Sequence, residues 1–429
     1  MNHTRRHNLA QIVEALCDGG MPVRFSAYDG SRAGPDDAEF GLHLATPRGA
    51  TFLATAPHDP ELGLARAYVL GDLTLAGAHP GDPYPALRSL ADHLRFHRPA
   101  PSDLVTLLRS LGWQWLRPAP PPPQEARPRW RRLAAGIGHS RHRDQEAIHR
   151  HYDVSNSFYG RVLGDSMTYT CALFEKPDDT LGVAQQAKHQ LVFDKLGLAP
   201  GMRLLDVGCG WGEMVRHAAR RGVRALGVTL SAQQASWAQA AIDAEGLDGL
   251  AEVRHLDYRD APGHDYDAIA SIGLTEHVGV HGYPAYFAAL RDTLRPGGRL
   301  LNHCITRRSN NASGRPSSFI DRYVFPDGEL ASSGRIITEA ENAGLEVRHE
   351  ENLREHYALT LAAWCANLVA NWDECVAEVG EATARVWGLY MAASRLAFER
   401  NELQLHQVLA VRPDAQGRSD VPLRPWWHT

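Results

Sequence analysis

The sequence predicts an α/β protein: a doubly wound, mostly parallel sheet of seven strands, with a small α+β domain in front of it. Three observations carry this. From about residue 200, short apolar runs alternate with stretches of helical spacing. The first run opens into a glycine-rich turn, Asp206-Val207-Gly208-Cys209-Gly210-Trp211-Gly212. A stiff proline run, Pro118-Ala119-Pro120-Pro121-Pro122-Pro123, divides this region from what precedes it.

Before the proline run, Ile12–Leu16 reads as a helix, and Phe40–Leu44 and Thr51–Ala54 as short strands. Leu87–His97 and Asp103–Leu111 read as helices, the second with Ser102 or Asp103 near its N-cap. After it the strands are Arg203–Val207, Arg224–Thr229, Glu252–His255, Ala268–Ile272, Arg299–Ile305, Leu345–His349 and Leu405–Val411. Arg295-Pro296-Gly297-Gly298 is the turn into the fifth. Glu213–Arg221, Ser231–Glu245, Leu359–Ala370 and Val376–Arg400 read as helices. The boundaries expected are a lipid-binding or dimerisation domain over 1–117, a linker over 118–150, a catalytic domain over 151–413 and a tail over 414–429.

Composition excludes several classes. With 429 residues, 44% hydrophobic and 22% charged, the chain can bury a sizeable core. No apolar run reaches the roughly 18 residues of a membrane span. The start leads into no long apolar segment, so a secretory signal is not expected. Six cysteines without a CxxC pair make a disulfide framework or zinc site a poor expectation, and a reducing cytoplasm the better one. A net charge of −5 argues against nucleic acid as a partner. Residues 124–150, however, carry seven arginines against three acidic residues. That stretch is either a solvated connector or a patch for an anionic membrane surface, where each cation is worth about 1 kcal/mol. Its histidines lack the companions of a metal site. Only three lysines (Lys176, Lys188 and Lys195) stand beside 42 arginines, a bias that fits a GC-rich genome.

The glycine loop joins a buried strand to a helix and lets a ligand lie against the backbone. Its DxGxGxG spacing is that of S-adenosylmethionine (SAM) sites, and the dinucleotide spacing GxGxxG is absent. The second strand ends in Thr229, Leu230 and Gln234, where many nucleoside-binding folds place an acid. Ser231 is equally an N-cap. Asp257 and Tyr258 have the chemistry to accept from an adenine amino group and flank its ring; Asp257 is equally a turn residue.

Several blocks in order then resemble the cyclopropane-fatty-acid synthase family of SAM-dependent methyltransferases. They are His151-Tyr152-Asp153, Ser166 to Cys171, the glycine loop, Gly227–Gln234 and Glu276-His277-Val278-Gly279. Beyond these come His303 with Ile305, Tyr323-Val324-Phe325-Pro326-Asp327-Gly328, His356-Tyr357 and Gln404-Leu405. The resemblance covers roughly 145–411, and more weakly Gly71-Asp72. It implies a class I methyltransferase sheet and methyl transfer from SAM to the cis double bond of an unsaturated phospholipid chain. An alkene is a poor nucleophile, so the sulfonium must be held in line in a dry site. The resulting carbocation must then lose a proton. The resemblance assigns that proton to a bicarbonate ion held by Cys171, Glu276, His303, Ile305 and Tyr357. It also places Tyr169, Thr170, Gly208 and Gly210 at the methionine end, Asp206 at the head of the loop and Ile272 on the methyl side. Taken singly, each has an ordinary reading: Cys171 a small buried hydrophobe, Glu276 a loop acid, His303 a core histidine, Tyr357 a packing or capping residue.

Departures point to a branch. Cyclopropane synthases commonly carry an aromatic residue immediately before the Glu-His pair; here it is Thr275. With Leu301 to Thr306 and Gly388 to Ser394, this resembles the actinobacterial tuberculostearate branch, which makes a 10-methylene chain from oleoyl lipid. Such an enzyme implies a separate flavin-dependent reductase and a peripheral place at the inner face of the plasma membrane, and leaves a homodimer open. The alternatives are a cyclopropane synthase proper, a nicotinamide-dependent oxidoreductase and a membrane-binding protein on a dead fold. Trp364, Trp372 and Trp387 are expected to pack the C-terminal helices, not to line a lipid tunnel.

Overall fold

The computed structural model describes residues 7–55, 59–95, 119–125, 155–311 and 315–427. The expected helix Asp103–Leu111, the arginine-rich stretch 127–150 and the His151-Tyr152-Asp153 block lie outside the described residues. The chain divides into two compact units. One comprises residues 1–127 together with Ser317–Val324 and Cys365–Leu396; the other comprises Pro128–Pro316, Phe325–Trp364 and Ala397–Thr429.

In the first unit, helix α1 (Leu9–Leu16) leads to strands β1 (Arg24–Ala27), β2 (Arg32–Ala33) and β3 (Gly41–Leu44). Helices α2 (Pro47–Thr55) and α3 (Pro60–Val69), strand β4 (Leu73–Ala76) and helix α4 (Tyr84–His93) follow. The sheet order is β2-β1-β3-β4, with β1 and β3 parallel. Thr51–Ala54, expected as a strand, is helical. Its β-branched and aromatic residues suggest a strand, but Pro47 opens the segment in the helical φ range and Thr46 Oγ1 accepts the Gly49 N–H at 3.2 Å, an N-cap. Asp72, 1% exposed, accepts from Thr46 at 2.7 Å and from Arg48 Nε at 2.6 Å, which ties the start of β4 to the start of α2. At the end of the proline run, Glu125 is buried under Arg66, whose guanidinium donates to both carboxylate oxygens at 2.6 and 2.7 Å.

The second unit begins with α5 (Asn156–Leu163) and α6 (Leu181–Leu196). Then come β5 (Arg203–Val207), α7 (Glu213–Ala219), β6 (Arg224–Thr229), α8 (Ala232–Ala244), β7 (Ala251–His255) and β8 (Tyr266–Ile272). Next are α9 (Thr275–Val278), α10 (Tyr283–Thr293), β9 (Leu294–Arg307), α11 (Ser318–Tyr323, in the first unit) and α12 (Ser333–Asn342). Strand β10 (Glu346–Asn352), α13 (Arg354–Ala370), α14 (Trp372–Val379), α15 (Glu381–Glu399) and β11 (Leu403–Val411) complete the chain, with the end of α13, all of α14 and most of α15 in the first unit. The single helix expected over Val376–Arg400 is two, broken at Gly380, whose φ is +80°.

The seven strands run β10-β11-β9-β8-β5-β6-β7. β9, β8, β5, β6 and β7 are mutually parallel, and β11 is antiparallel to both neighbours. This is the doubly wound, mostly parallel sheet expected. β5 and β6 have their expected bounds, because strands covered on both faces read as nearly unbroken apolar runs. Alternate residues feed two cores. Leu204, Ala268, Leu301 and Leu409 pack on one face; Leu205, Ile269, Leu300 and Val408 on the other. The expected Arg295–Gly298 turn is the irregular start of β9, next to a register shift between Tyr266 and Ala268 of β8.

Candidate active site

The carboxyl ends of β5, β6 and β8, with Leu256 just after β7, open on one cleft, the place where open parallel sheets bind ligands. The glycine loop forms its floor. Gly208 and Cys209 both donate their N–H to the Val228 carbonyl, at 2.9 and 3.0 Å, so the loop is strapped to β6. Gly210 has φ +56°, and a Cβ built there meets nothing within 4 Å. The backbone is therefore bare toward the cleft. The cleft has two lobes that share Gly208, Gly210, Gln234 and Gly273. One is lined by Tyr169, Thr170, Lys188, Asp206, Trp211 and Ile272. The other is lined by Thr229, Leu230, Leu256, Tyr258, Arg259 and His277. Thr229 Oγ1 donates to Gln234 Oε1 at 2.8 Å, which fixes the side chain between the lobes.

Two buried charges face each other in the first lobe. Burial pushes Asp206 up to about 7, an effect that Lys188 opposes. Burial pulls Lys188 down to about 8, against the pull of Cys171, Asp206 and Glu213. Lys188 Nζ donates to Thr170 Oγ1 at 3.1 Å and contacts His189 Nε2 at 2.9 Å. In the second lobe Tyr258 is a wall residue. Asp257 caps the turn that follows it: the carboxylate accepts the Arg259 backbone N–H at 2.9 Å and its Nε and Nη2 at 2.7 and 2.5 Å. Arg259 is the member of this pair that lines the cleft.

Glu276 and His303 converge beyond the loop. β8 stops at Ile272, paired with His303, and Gly273 donates its N–H to the His303 carbonyl at 2.8 Å. The next N–H on that edge of β9, that of Ile305, has lost its ladder partner, and Glu276 Oε1 takes it at 2.7 Å. Glu276 Oε2 is buried with no partner among the described residues. Burial pushes the Glu276 carboxyl up to about 7, opposed by the Ile305 N–H. His303, 1% exposed, meets Gln407 Nε2 through Nδ1 at 3.2 Å, and its Nε2 has no partner among the described residues. Burial, with Lys188 and Lys195 adding to it, holds the His303 pKa well below the usual histidine value, so the ring is neutral.

Cys171 and Tyr357 are linked by one carbonyl. Leu353 O receives the Cys171 thiol at 3.8 Å and the Tyr357 N–H at 3.2 Å. Burial pushes the Cys171 thiol up, so it is a neutral S–H and not a nucleophile. Tyr357 packs on Phe398 at 4.6 Å and Trp364 at 6.1 Å. The ring contacts continue from Trp364 to Tyr169, Phe325 and His277, at 5.4, 6.5 and 5.8 Å. They form an aromatic wall from Tyr357 to the residue beside Glu276. Trp364 is therefore a packed side chain, as expected, but one that packs in this wall. Trp372 and Trp387 belong to the first unit, against His79 and Tyr390.

Thr275 is placed differently from what its sequence neighbours suggest. It is fully buried, and its hydroxyl accepts from Asn302 Nδ2 at 2.5 Å while Cys304 donates to Asn302 Oδ1 at 3.2 Å. Asn302 and Cys304 project from the opposite face of β9 to His303 and Ile305. The sequence reading missed Lys188, Lys195 and Gln407, and held Phe325 only as part of the Tyr323–Gly328 block. One signal was there: in a chain that uses arginine almost throughout, two of its three lysines are these buried ones. Among the described residues no cluster of three or more His, Cys, Asp or Glu is arranged to hold a metal ion, and no helix is long and apolar enough to cross a membrane.

Comparison with known proteins agrees with this geometry. The family model described as mycolic acid cyclopropane synthetase matches residues 139–408. A Mycobacterium tuberculosis protein named "Probable fatty acid methyltransferase" is 61% identical over 99% of both chains. A tuberculostearic acid methyltransferase of the same organism is 35% identical over 70% of each chain. A crystal structure of the mycolic acid cyclopropane synthase CmaA1 complexed with SAH and CTAB superposes with a TM-score of 0.58 and 34% identity, covering 62% of this chain and 97% of that one.

Proposed function

The chain belongs to the mycolic acid cyclopropane synthetase family, a family of SAM-dependent methyltransferases, and on that premise we propose that it methylates the cis double bond of oleoyl chains in phospholipids, giving a 10-methylene acyl chain. The two-lobed cleft fits SAM. Its apolar and hydroxyl-lined second lobe suits a nucleoside, and Asp206 in the first suits a cationic amino acid end. The structural relative described with SAH and CTAB supports a site that takes the spent cofactor beside a long alkyl chain.

One observation carries the reading of the chemistry. Glu276 Oε2 and His303 Nε2, an acceptor and a nitrogen, are buried and without a partner among the described residues, the first beside the β9 edge that β8 leaves open and the second on β9 itself. Unsatisfied buried groups of this kind cost about 1–3 kcal/mol each and are retained where a ligand meets them. They fit bicarbonate, which offers a hydroxyl to Glu276 and oxyanion lone pairs to a ring N–H. When bound, bicarbonate supplies the base for the proton that the alkylated chain must lose. The protein's share is to hold that group and keep water out. Glu276 is anchored by Ile305 N–H; Cys171 stays a neutral thiol; the wall of Tyr357, Trp364, Tyr169 and Phe325 excludes water and offers ring faces to a cation.

Methyl transfer would break the S–CH3 bond of SAM, make one C–C bond, release S-adenosylhomocysteine and leave a carbocation on the acyl chain. Loss of a proton from the new methyl after a 1,2-hydride shift gives the methylene; without the shift it closes a cyclopropane. The departure at Thr275 favours the methylene branch through the resemblance it carries; its own hydroxyl is engaged with Asn302, across β9 from His303. A flavin-dependent reductase would then complete the 10-methyl chain, and the arginine-rich stretch 127–150 would meet the anionic membrane surface. The test is NMR of the lipid recovered after incubation with SAM and oleoyl-phospholipid vesicles. Vinylic methylene protons are expected. Upfield cyclopropyl protons would place the product in the other branch, and unaltered oleoyl lipid would refute the assignment.

A further inference from the structure

We propose that Gln407, Lys195 and Glu351 form a buried positioning relay that holds the His303 imidazole in its Nε2–H form, making His303 a hydrogen-bond donor to the reaction's anion and not a base. The inference rests on the reading of the site given above and deepens it.

The logic follows from donor and acceptor inventory. A lysine ammonium only donates. Lys195 Nζ donates to Gln407 Oε1 at 2.8 Å and is ion-paired with Glu351. The Gln407 amide therefore has its oxygen toward Lys195 and its NH2 toward His303. That NH2 meets His303 Nδ1 at 3.2 Å, so Nδ1 must be the lone-pair nitrogen. In a neutral imidazole the proton then sits on Nε2, the buried atom with no partner among the described residues. A protonated ring would set N–H against N–H2. Both ring nitrogens are thus spoken for: Nδ1 accepts, and Nε2 already carries a hydrogen. Neither can remove a proton from the methylated chain. What remains to His303 is donation to an oxyanion, the use of a preorganised dipole at a site of negative charge.

The relay is built to stay put. Lys195 is fully buried, and the C-terminal tail covers it, with the Trp427 ring 5.8 Å from Nζ. Trp426 is anchored by its indole N–H on the Asp194 carbonyl at 2.8 Å. Glu351, at the far end, is partly exposed, so only the outer member of the chain reaches water.

The test is 15N NMR of the full-length protein labelled at the histidine ring nitrogens, with His303 assigned by its loss in His303→Gln. The wild type should show the Nε2–H tautomer. Gln407→Glu presents an acceptor to both Lys195 and Nδ1, and should place a proton on Nδ1. Turnover on oleoyl-phospholipid vesicles should then fall on the order of 100-fold, the scale of one lost oxyanion donor, with SAM affinity unchanged by calorimetry. Lys195→Met, which frees the amide to flip, should mix the two tautomers. An Nδ1–H or protonated His303 in the wild type, or an unchanged tautomer in Gln407→Glu, overturns the relay. The wild-type spectrum decides the matter even if a variant fails to fold. If the tautomers behave as stated but wild-type protein methylates no lipid, the relay stands and the assigned reaction falls.

Discussion

The carboxylate of Glu276 accepts the backbone N–H of Ile305 at 2.7 Å and thereby finishes a sheet ladder that β8 leaves incomplete. One oxygen is structural, and the other is buried with no partner among the described residues. Glu276→Gln keeps the first role and loses the second. Turnover should fall about 10²–10³-fold while SAM binds as before. Turnover within threefold of wild type would remove Glu276 from the chemistry.

The same substitution has a signed effect on stability. Burial raises the folded pKa of Glu276 to about 7, above the unfolded 4.5, so the folded state holds the proton more tightly. Its contribution is fully present below pH 4.5 and is lost as pH rises through 7. Above that pH the buried charge costs a few kcal/mol. The Tm of Glu276→Gln should therefore rise relative to wild type between pH 5 and pH 8. A constant difference across that window would contradict it.

Asp206 should make SAM binding a proton-linked event. Its raised pKa of about 7 should fall when a cationic ligand enters the first lobe. Calorimetry at pH 7 in buffers of different ionisation enthalpy should show proton release on SAM binding, and affinity should rise from pH 6 to pH 8. Asp206→Asn should abolish the release. Equal heats in all buffers for the wild type would refute the linkage.

Thr275 offers a test of where product choice resides. Its hydroxyl serves Asn302, so Thr275→Val strands a buried amide N–H and should cost about 1–3 kcal/mol of stability. Because that hydroxyl lies across β9 from His303, the methylene signature of the product should be unchanged by NMR. A switch to cyclopropane would mean that this residue acts directly on the cation.

Much of the catalytic sheet was legible in the sequence. β5 and β6 are mostly apolar, covered on both faces and each opened by an arginine, so pattern largely sets their ends. Thr51–Ala54 failed because side-chain preference was weighed without the Thr46-Pro47 start signal. Of the site, the glycine loop was legible from spacing, and Glu276, His303 and Tyr357 only as part of a family pattern. Gln407 was not legible, and Lys195 only as one of three lysines in an arginine-rich chain: their bonds join residues 104 and 212 positions apart.

Glu125 should matter as much as any core residue of the first unit. Its side chain is buried under Arg66, and Arg322 lies 3.4 Å away. Glu125→Ala removes the buried counter-charge that Arg66 and Arg322 share, a loss of about 3–5 kcal/mol. Faster proteolysis near 119–125 and a lower Tm are the expected readouts; wild-type stability would show the cluster to be idle.

Gly388 lies against the Pro80 carbonyl so closely that a Cβ would come within 2.2 Å of it, and Arg395 stacks over Tyr84 at 3.6 Å. The leading portion of the chain thus shares one folding unit with helices encoded nearly three hundred residues later. It is not a detachable module. A truncation at the proline run would strip those late helices of their bed, and a ribosome delivers the two halves of that unit far apart in time. The first unit is therefore completed only after most of the catalytic sheet has emerged, which makes the proline run a punctuation mark in the sequence and not a seam in the molecule.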